Sequence, residues 1–399
     1  MLVLANGRIV TDNEVLSGFD LLVEGNRIRS IDPVHERRDY GDATIIDAKG
    51  GYILPGLIDL HADYIEHMAA PRPTTLMDFR LSLREAEREL ITHGITTMFH
   101  SLSFYNFTEF LPNPIRSTEN TRRFIELIDQ VHNARHLIRH RFHARFEIDS
   151  LDRIEELNEY IRARKVHLVS FMDHTPGQGQ YRNLEIYRNT LKGYRKVSDD
   201  EIGAIIARSQ GREKLTLERI REISELASTY GVAVASHDDD TVEKVAFVQS
   251  FGATISEFPI TMEVAREARS RGMHTVAGAP NVLLGGSHSG NLSAAEAILA
   301  GSVDILCSDY YPAAMLHAVF QLHFEHRRPL PEMVRLVTRN PAAAVGLGGE
   351  LGSISAGMIA DLLVVEILEE GFPVVATAIV DGQVVSSTLY RDRVAGVSS

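Results

Sequence analysis

With 399 residues, 44% of them hydrophobic, the chain can bury a barrel-sized core and a smaller unit beside it, which excludes an intrinsically disordered protein. Its 41 basic side chains against 54 acidic ones give a formal net charge of −13, so no basic field draws it to nucleic acid or an anionic membrane, and an anionic substrate needs local cations. The one cysteine, Cys307, excludes an intrachain disulfide and fits a reducing, cytoplasmic setting.

The N-terminal run Met1–Val10 breaks at Asn6-Gly7 and has no basic leader region, so a strand and turn are expected there and not a signal peptide. Short β-rich runs continue to about residue 52, at Leu2–Leu4, Asp20–Val23, Arg27–Ile31 and Thr44–Asp47, separated by turn pairs such as Gly25-Asn26. From residue 53 the texture changes to strand, loop and helix in repetition. Strands are expected to end near His61, His100, Glu147, Phe171, Ser236, Glu257, Gly278 and Cys307. Eight such units predict an α/β fold, a closed parallel (β/α)8 TIM barrel over residues 53–352.

Helical spacing of Leu217, Ile220, Ile223, Leu226 and Ala227 predicts a helix stopped by Gly231, Ser293 to Glu296 reads as a capping box, and Asn340-Pro341 as a cap with proline at the first helical position. Residues 174–215 read as a long polar loop suited to a lid. The β texture returns at Ala360–Glu366 and Val374–Val380, with Asp381-Gly382 as a hairpin turn before Gln383–Ser386. Residues 1–52 and 353–399 are therefore expected to pair into one composite, β-sandwich-like domain. No uncharged apolar run approaches the roughly 20 residues of a membrane helix.

In such a barrel the chemistry sits at the C-terminal ends of the strands. His61 and Asp63 stand two residues apart at the first exit, where strand spacing points both the same way. A neutral imidazole beside a carboxylate is half of a divalent-metal site. Glu147 ends the third strand, Asp173 and His174 follow the fourth, His237 ends a buried Val-Ala-Val-Ala-Ser run, Glu257 ends the sixth and Asp309 follows the eighth. Each has a plain structural counterpart: a rim salt bridge for Glu147, a turn for His174, a hydrogen-bonded core histidine for His237. Their convergence on one barrel end favours a metal centre of His61, Asp63, Glu147, His174 and His237. It would hold one or two divalent ions, zinc first, with manganese or iron as alternatives for mixed nitrogen and oxygen donors.

Leu-Pro-Gly-Leu-Ile-Asp-Leu leading into His61 resembles the amidohydrolase superfamily. Further stretches resemble its phosphonate-utilisation branch: Pro71-Arg72-Pro73, Met172 to Gln178, Ser236-His237-Asp238-Asp239, Gly278-Ala279-Pro280-Asn281, Gly285 to Asn291 and Ser308 to Pro312. The sixth strand departs from the superfamily by offering Glu257 where a histidine is usual. The likeness spans about residues 1 to 385 and implies a metal-dependent hydrolase that cuts α-D-ribose 1-methylphosphonate 5-triphosphate to the 5-phosphate and pyrophosphate. A metal-bound water would be the nucleophile and Asp309 the base that takes its proton.

The glycine-rich run offers backbone N–H groups with Ser287 and His288 to phosphate oxygens. Arg72, Arg182 and Lys192 are the expected cations around the polyanion. Hydrolysis of an amide or cyclic amide is the alternative, and a non-catalytic barrel is a third reading. The expected partner is a small phosphorylated ribose, with a homo-oligomer open.

Overall fold

Alternation along each strand decides which side chains face the barrel axis, and Arg139–Glu147 shows it most clearly. Phe142, Ala144 and Phe146 enter the apolar layer under the surrounding helices, so His143, Arg145 and Glu147 face inward. This computed structural model describes residues 1–34, 40–72, 75–104, 114–194, 197–286 and 292–390. The expected (β/α)8 barrel is present. Strands β1 (Leu57–Ala62), β2 (Ile95–Phe104), β3 (Arg139–Glu147), β4 (Leu168–Met172), β5 (Ala233–His237), β6 (Ile255–Glu257), β7 (His274–Gly278) and β8 (Ile305–Cys307) pair in parallel in sequence order.

The two ends of the sheet meet at the mouth. Ala62 bridges Asp309; the Asp63 N–H donates to the Asp309 carbonyl at 2.8 Å and the Asp309 N–H to the His61 carbonyl at 3.0 Å. The lower interior is plugged by Ile58, Leu60, Phe99, Leu168, Ile255, Val276 and Ile305, backed by Ala342, Val345 and Leu351. Each such side chain contributes about 1.5–3 kcal/mol by leaving water. Cys307 lies in the same plug, so its thiol is inert packing. Polar side chains can therefore gather only in the upper layers.

Both chain ends build the sheets beside the barrel. One sheet orders Gln383–Ser387, Pro373–Val380, Leu362–Ile367, Tyr52–Pro55, Arg8–Val10 and Val15–Ser17; the other orders Arg27–Pro33, Phe19–Glu24, Leu2–Ala5 and Thr44–Asp47. The strand crossing the expected boundary at residue 52 thus runs to Pro55 within the first of these sheets. The hairpin turn is as read: Asp381 and Gly382 have φ of 51° and 70°. A Cβ on Gly382 would lie 2.2 Å from the Gly25 carbonyl oxygen, so two turns dock through a residue that must be glycine.

Four expectations change. Strand β2 continues past His100 to Phe104, because Ser101 and Ser103 are small polar residues facing a polar interior and not a loop. The stretch 174–215 contains helices Leu184–Tyr194 and Asp199–Gln210, which bury Tyr187, Leu191, Ile202, Ile205 and Ile206 in a small core of their own. Those apolar residues keep helical spacing, a signal outweighed by the polar majority. The last barrel helix starts at Arg339 with Thr338 as its cap, which places Pro341 third. At Ser293 only the serine half of the expected box appears, accepting from the Glu296 N–H at 3.4 Å. No helix among the described residues is long and apolar enough to cross a membrane.

Candidate active site

The upper layers of the barrel hold a hydrogen-bonded set built from strands β1 to β6. Glu257, fully buried, places Oε1 3.1 Å from His61 Nδ1 and 3.8 Å from His143 Nε2, and its Oε2 accepts from Ser170 Oγ at 2.6 Å. Burial by itself raises this carboxyl, but its pairing with the His61 imidazole holds it well below the usual range. His143 Nδ1 lies 3.0 Å from both the Leu60 carbonyl and Ser101 Oγ, and its Nε2 contacts Ser170 Oγ, so the ring is held from both sides. Burial pushes that imidazole down to about 3, so it is neutral.

The histidines converge on one point, their rings tilted or edge-on to one another. The His61 ring centroid lies 5.3 Å from that of His237, and the His174 ring 5.8 Å from His237. Donor atoms of His61, His237 and Glu257 fall within 4.8 Å of one another, as do those of His174, His237 and Asp238. His174 pairs with Glu147 through Nδ1 and lies 3.8 Å from Asp238 through Nε2. His237 Nδ1 is 2.9 Å from Asp238 Oδ2, yet neither ring nitrogen makes an aligned hydrogen bond among the described residues. The close approach is therefore electrostatic only. With Asp238 beside Nδ1 only, the buried ring keeps donor capacity that a bound cation would take up.

Backbone strain gathers on the same rim. Asp238, Phe258 and Asp309, each one or two residues past a strand end, have φ of 53°, 54° and 60°. For an aromatic residue this is a real outlier. It lays the Phe258 ring edge-on to His61, centroids 5.0 Å apart, and 5.2 Å from His237, forming an apolar wall. Lys244 Nζ donates to the carbonyls of His237 and Asp238 at 3.1 and 3.0 Å, which pins the strained turn. Asp309 reaches over the end of β7. A Cβ on Gly278 would come 3.2 Å from Asp309 Oδ2, so the glycine makes room for that carboxylate, which burial pushes upward in pKa.

Asp63 behaves differently from the sequence expectation. Strand β1 ends at Ala62, and a bulge sets Asp59 to Ala62 against only Met98 to His100. Asp63 then caps the helix Tyr64–Ala69 and no longer shares a strand face with His61. Its Oδ1 accepts from Arg145 Nη1 at 2.6 Å, and its Oδ2 lies 3.7 Å from Arg116 Nη2. Burial opposes ionisation here, but the two guanidinium groups hold the carboxyl well below the usual range.

Residues 52–385 match the family described as the Amidohydrolase family. The chain belongs to it. This amidohydrolase is 34% identical over 371 residues, covering 91% of its own length and 94% of the relative, to the alpha-D-ribose 1-methylphosphonate 5-triphosphate diphosphatase of Escherichia coli (strain K12). A shorter likeness, 33% over 98 residues, covers 24% of the chain and 21% of a dihydroorotase of Aquifex aeolicus (strain VF5). Among solved structures, the N-acetylglucosamine-6-phosphate deacetylase from Pasteurella multocida superposes with a TM-score of 0.63 at 15% identity over 97% of this chain and 100% of that one. A D-hydantoinase gives 0.63 at 16% over 96% and 94%. At such identities these structures speak to the fold, and with the family match they make the protein an amidohydrolase-superfamily hydrolase.

Of the expected site residues, the amidohydrolase barrel brings His61, His174 and His237 together, with Glu147 on His174 and Asp309 across the closing seam. Arg72 is exposed, its backbone bridging Thr75; Arg182 is exposed, and Lys192 pairs with Asp199 at 2.7 Å. Ser287 and His288 lie outside the described residues. Arg145, Arg116 and His143 were not among the expected residues, and Asp238 was expected only as part of the polar stretch after the fifth strand. A signal for two of them was present: the stretch Arg141 to Glu147 alternates polar and aromatic or small residues, so a buried strand there must turn His143 and Arg145 to one side.

Proposed function

We propose that this amidohydrolase is a metal-dependent phosphoanhydride hydrolase that converts α-D-ribose 1-methylphosphonate 5-triphosphate to the 5-phosphate and pyrophosphate. The observation that carries the reading is the likeness to the Escherichia coli enzyme of that name, which extends along 91% of this chain. A metal fits the mouth: His237 is buried with both ring nitrogens unbonded among the described residues, and imidazole and carboxylate donors converge around it. His61, His237 and Glu257, with His174, Asp238 and Glu147 at hand, would hold it, zinc first by donor chemistry, while Asp63, expected as a ligand, is engaged by Arg145. When bound, a divalent ion acidifies water and polarises a phosphoryl oxygen.

The chain's own residues supply the rest. Asp309, raised by burial and seated over β7, is the base that receives a proton from the attacking water. Glu257 holds His61 by its Nδ1 side, which fixes the ring and leaves Nε2 as the donor. Phe258 excludes solvent from the histidines. Pyrophosphate leaves as a stable anion, so the site must neutralise charge more than protonate a leaving atom.

The test is phosphorus NMR of the metal-loaded protein with the ribose triphosphate, beside a panel of N-acyl amino acids and cyclic ureides. Pyrophosphate release supports the proposal. Turnover of the ureides or amides alone overturns it in favour of amide hydrolysis, the chemistry toward which the short dihydroorotase likeness points.

A further inference from the structure

We propose that Arg145, with Arg116 beside it, is the receptor for an anionic phosphoryl or phosphonate group of the substrate, and that the Asp63 carboxylate holds the place of that anion in the free enzyme. The inference rests on the phosphoryl reading above and names the residues that would set its specificity.

Arg145 sits on the inner face of β3 between His143 and Glu147, beside the histidine cluster, and is only 8% exposed. A guanidinium so deeply buried needs a counter-charge, and one side chain supplies it at hydrogen-bond distance: Asp63, through Nη1 at 2.6 Å. Its remaining hydrogen bond among the described residues runs from Nε to Met172 Sδ at 3.3 Å, a weak acceptor. Two of five N–H donors are thus engaged, one of them poorly. That leaves a planar donor fork ready for a second oxygen, the geometry that matches a phosphate or phosphonate face.

The pair is reachable. Asp63 is 28% exposed, and Arg116, also 28% exposed, approaches its other oxygen at 3.7 Å while donating through Nε to Glu66 at 2.7 and 2.8 Å. A carboxylate between two guanidinium groups at the barrel mouth presents the charge pattern of a bound phosphate oxygen. The cations expected from the sequence do not offer this, since Arg72 and Arg182 are exposed and Lys192 is paired with Asp199. In a chain of net charge −13, such a local receptor is what a polyanion requires.

The alternative is a salt bridge that merely ties the helix after β1 to β3. Calorimetric titration of the metal-loaded protein with inorganic pyrophosphate separates the two, combined with steady-state kinetics on the ribose triphosphate. Arg145→Gln should weaken pyrophosphate at least about tenfold and raise KM by a similar factor, with Arg145→Lys recovering part of the affinity. Arg116→Gln, at the more exposed member, should weaken binding without unfolding the chain, which covers the case of an Arg145 variant that does not fold. Arg122→Gln, a surface residue paired with Glu156, should change neither value. Folded Arg145 and Arg116 variants that hydrolyse triphosphate and bind pyrophosphate like the unaltered protein would overturn this inference alone. An unaltered protein that neither cuts triphosphate nor binds pyrophosphate overturns the phosphoryl reading along with it.

Discussion

His237 shows how a single residue announces a site. A histidine that closes a buried apolar strand could be ordinary packing, and in that case its ring nitrogens would be hydrogen-bonded. Here both are buried and unbonded among the described residues, while His61, His174, Glu257 and Asp238 surround the ring. His61→Ala and His237→Ala should therefore lose metal, by elemental analysis, with the circular dichroism spectrum unchanged. Full metal occupancy in both variants would falsify the ligand assignment. Asp309 makes a separate prediction: Asp309→Asn should retain metal and lower turnover by about 10² to 10⁴. Gly278→Ala, which crowds the same carboxylate, should move turnover in the same direction with little change in Tm.

At the scale of elements, the barrel strands and their helices are held by buried polar ties as well as by apolar packing. Helix Phe79–Thr92 brings Glu87 against β3, where it accepts from the Leu137 N–H at 2.9 Å, lies 3.1 Å from His140 Nε2 and pairs with Arg84 at 2.7 Å. Burial would raise this carboxyl, but its donors bring it down to about 2. A depressed carboxylate stabilises the fold fully above its unfolded value near 4.5 and loses that contribution as pH falls toward 2. Burial also lowers His140, whose protonation below about 6.5 in the unfolded chain favours unfolding. Both shifts act in the same direction. Denaturant unfolding of the unaltered protein should weaken steadily between pH 6.5 and 3, and Glu87→Gln should flatten the part of that slope below about pH 4.5. An unchanged slope in the variant would place the acid sensitivity elsewhere.

At the scale of the whole molecule, the barrel and the sheets formed by the chain ends are joined by charge at the barrel's base. Arg139, at the start of β3, pairs with Asp361 and Asp381, which flank the C-terminal strands. Arg139 and Asp361 are 7% and 5% exposed, so removing one partner strands the other in a medium that solvates it poorly. Arg139→Ala should cost about 3–5 kcal/mol of stability, read as a lower denaturation midpoint, while metal content stays at the unaltered level. Loss of metal in step with stability would show that this junction and the mouth act as one unit.

The sequence by itself determined the barrel, most of its strand ends, the pairing chemistry of the two chain ends and the line of polar residues at the barrel mouth. These follow from local rules: alternation within strands, turn residues at Asp381-Gly382, and the habit of parallel barrels to carry chemistry where strands end. Tertiary structure alone decided the partners. The bulge in β1 takes Asp63 off the face of His61 and gives it to Arg145, 82 positions later in the chain. Glu257 meets His61 across 196 positions. The left-handed turns at Asp238, Phe258 and Asp309 gather at one barrel rim, although they lie far apart along the chain. Spacing along a strand says which way a side chain points; closure of eight strands says what it meets.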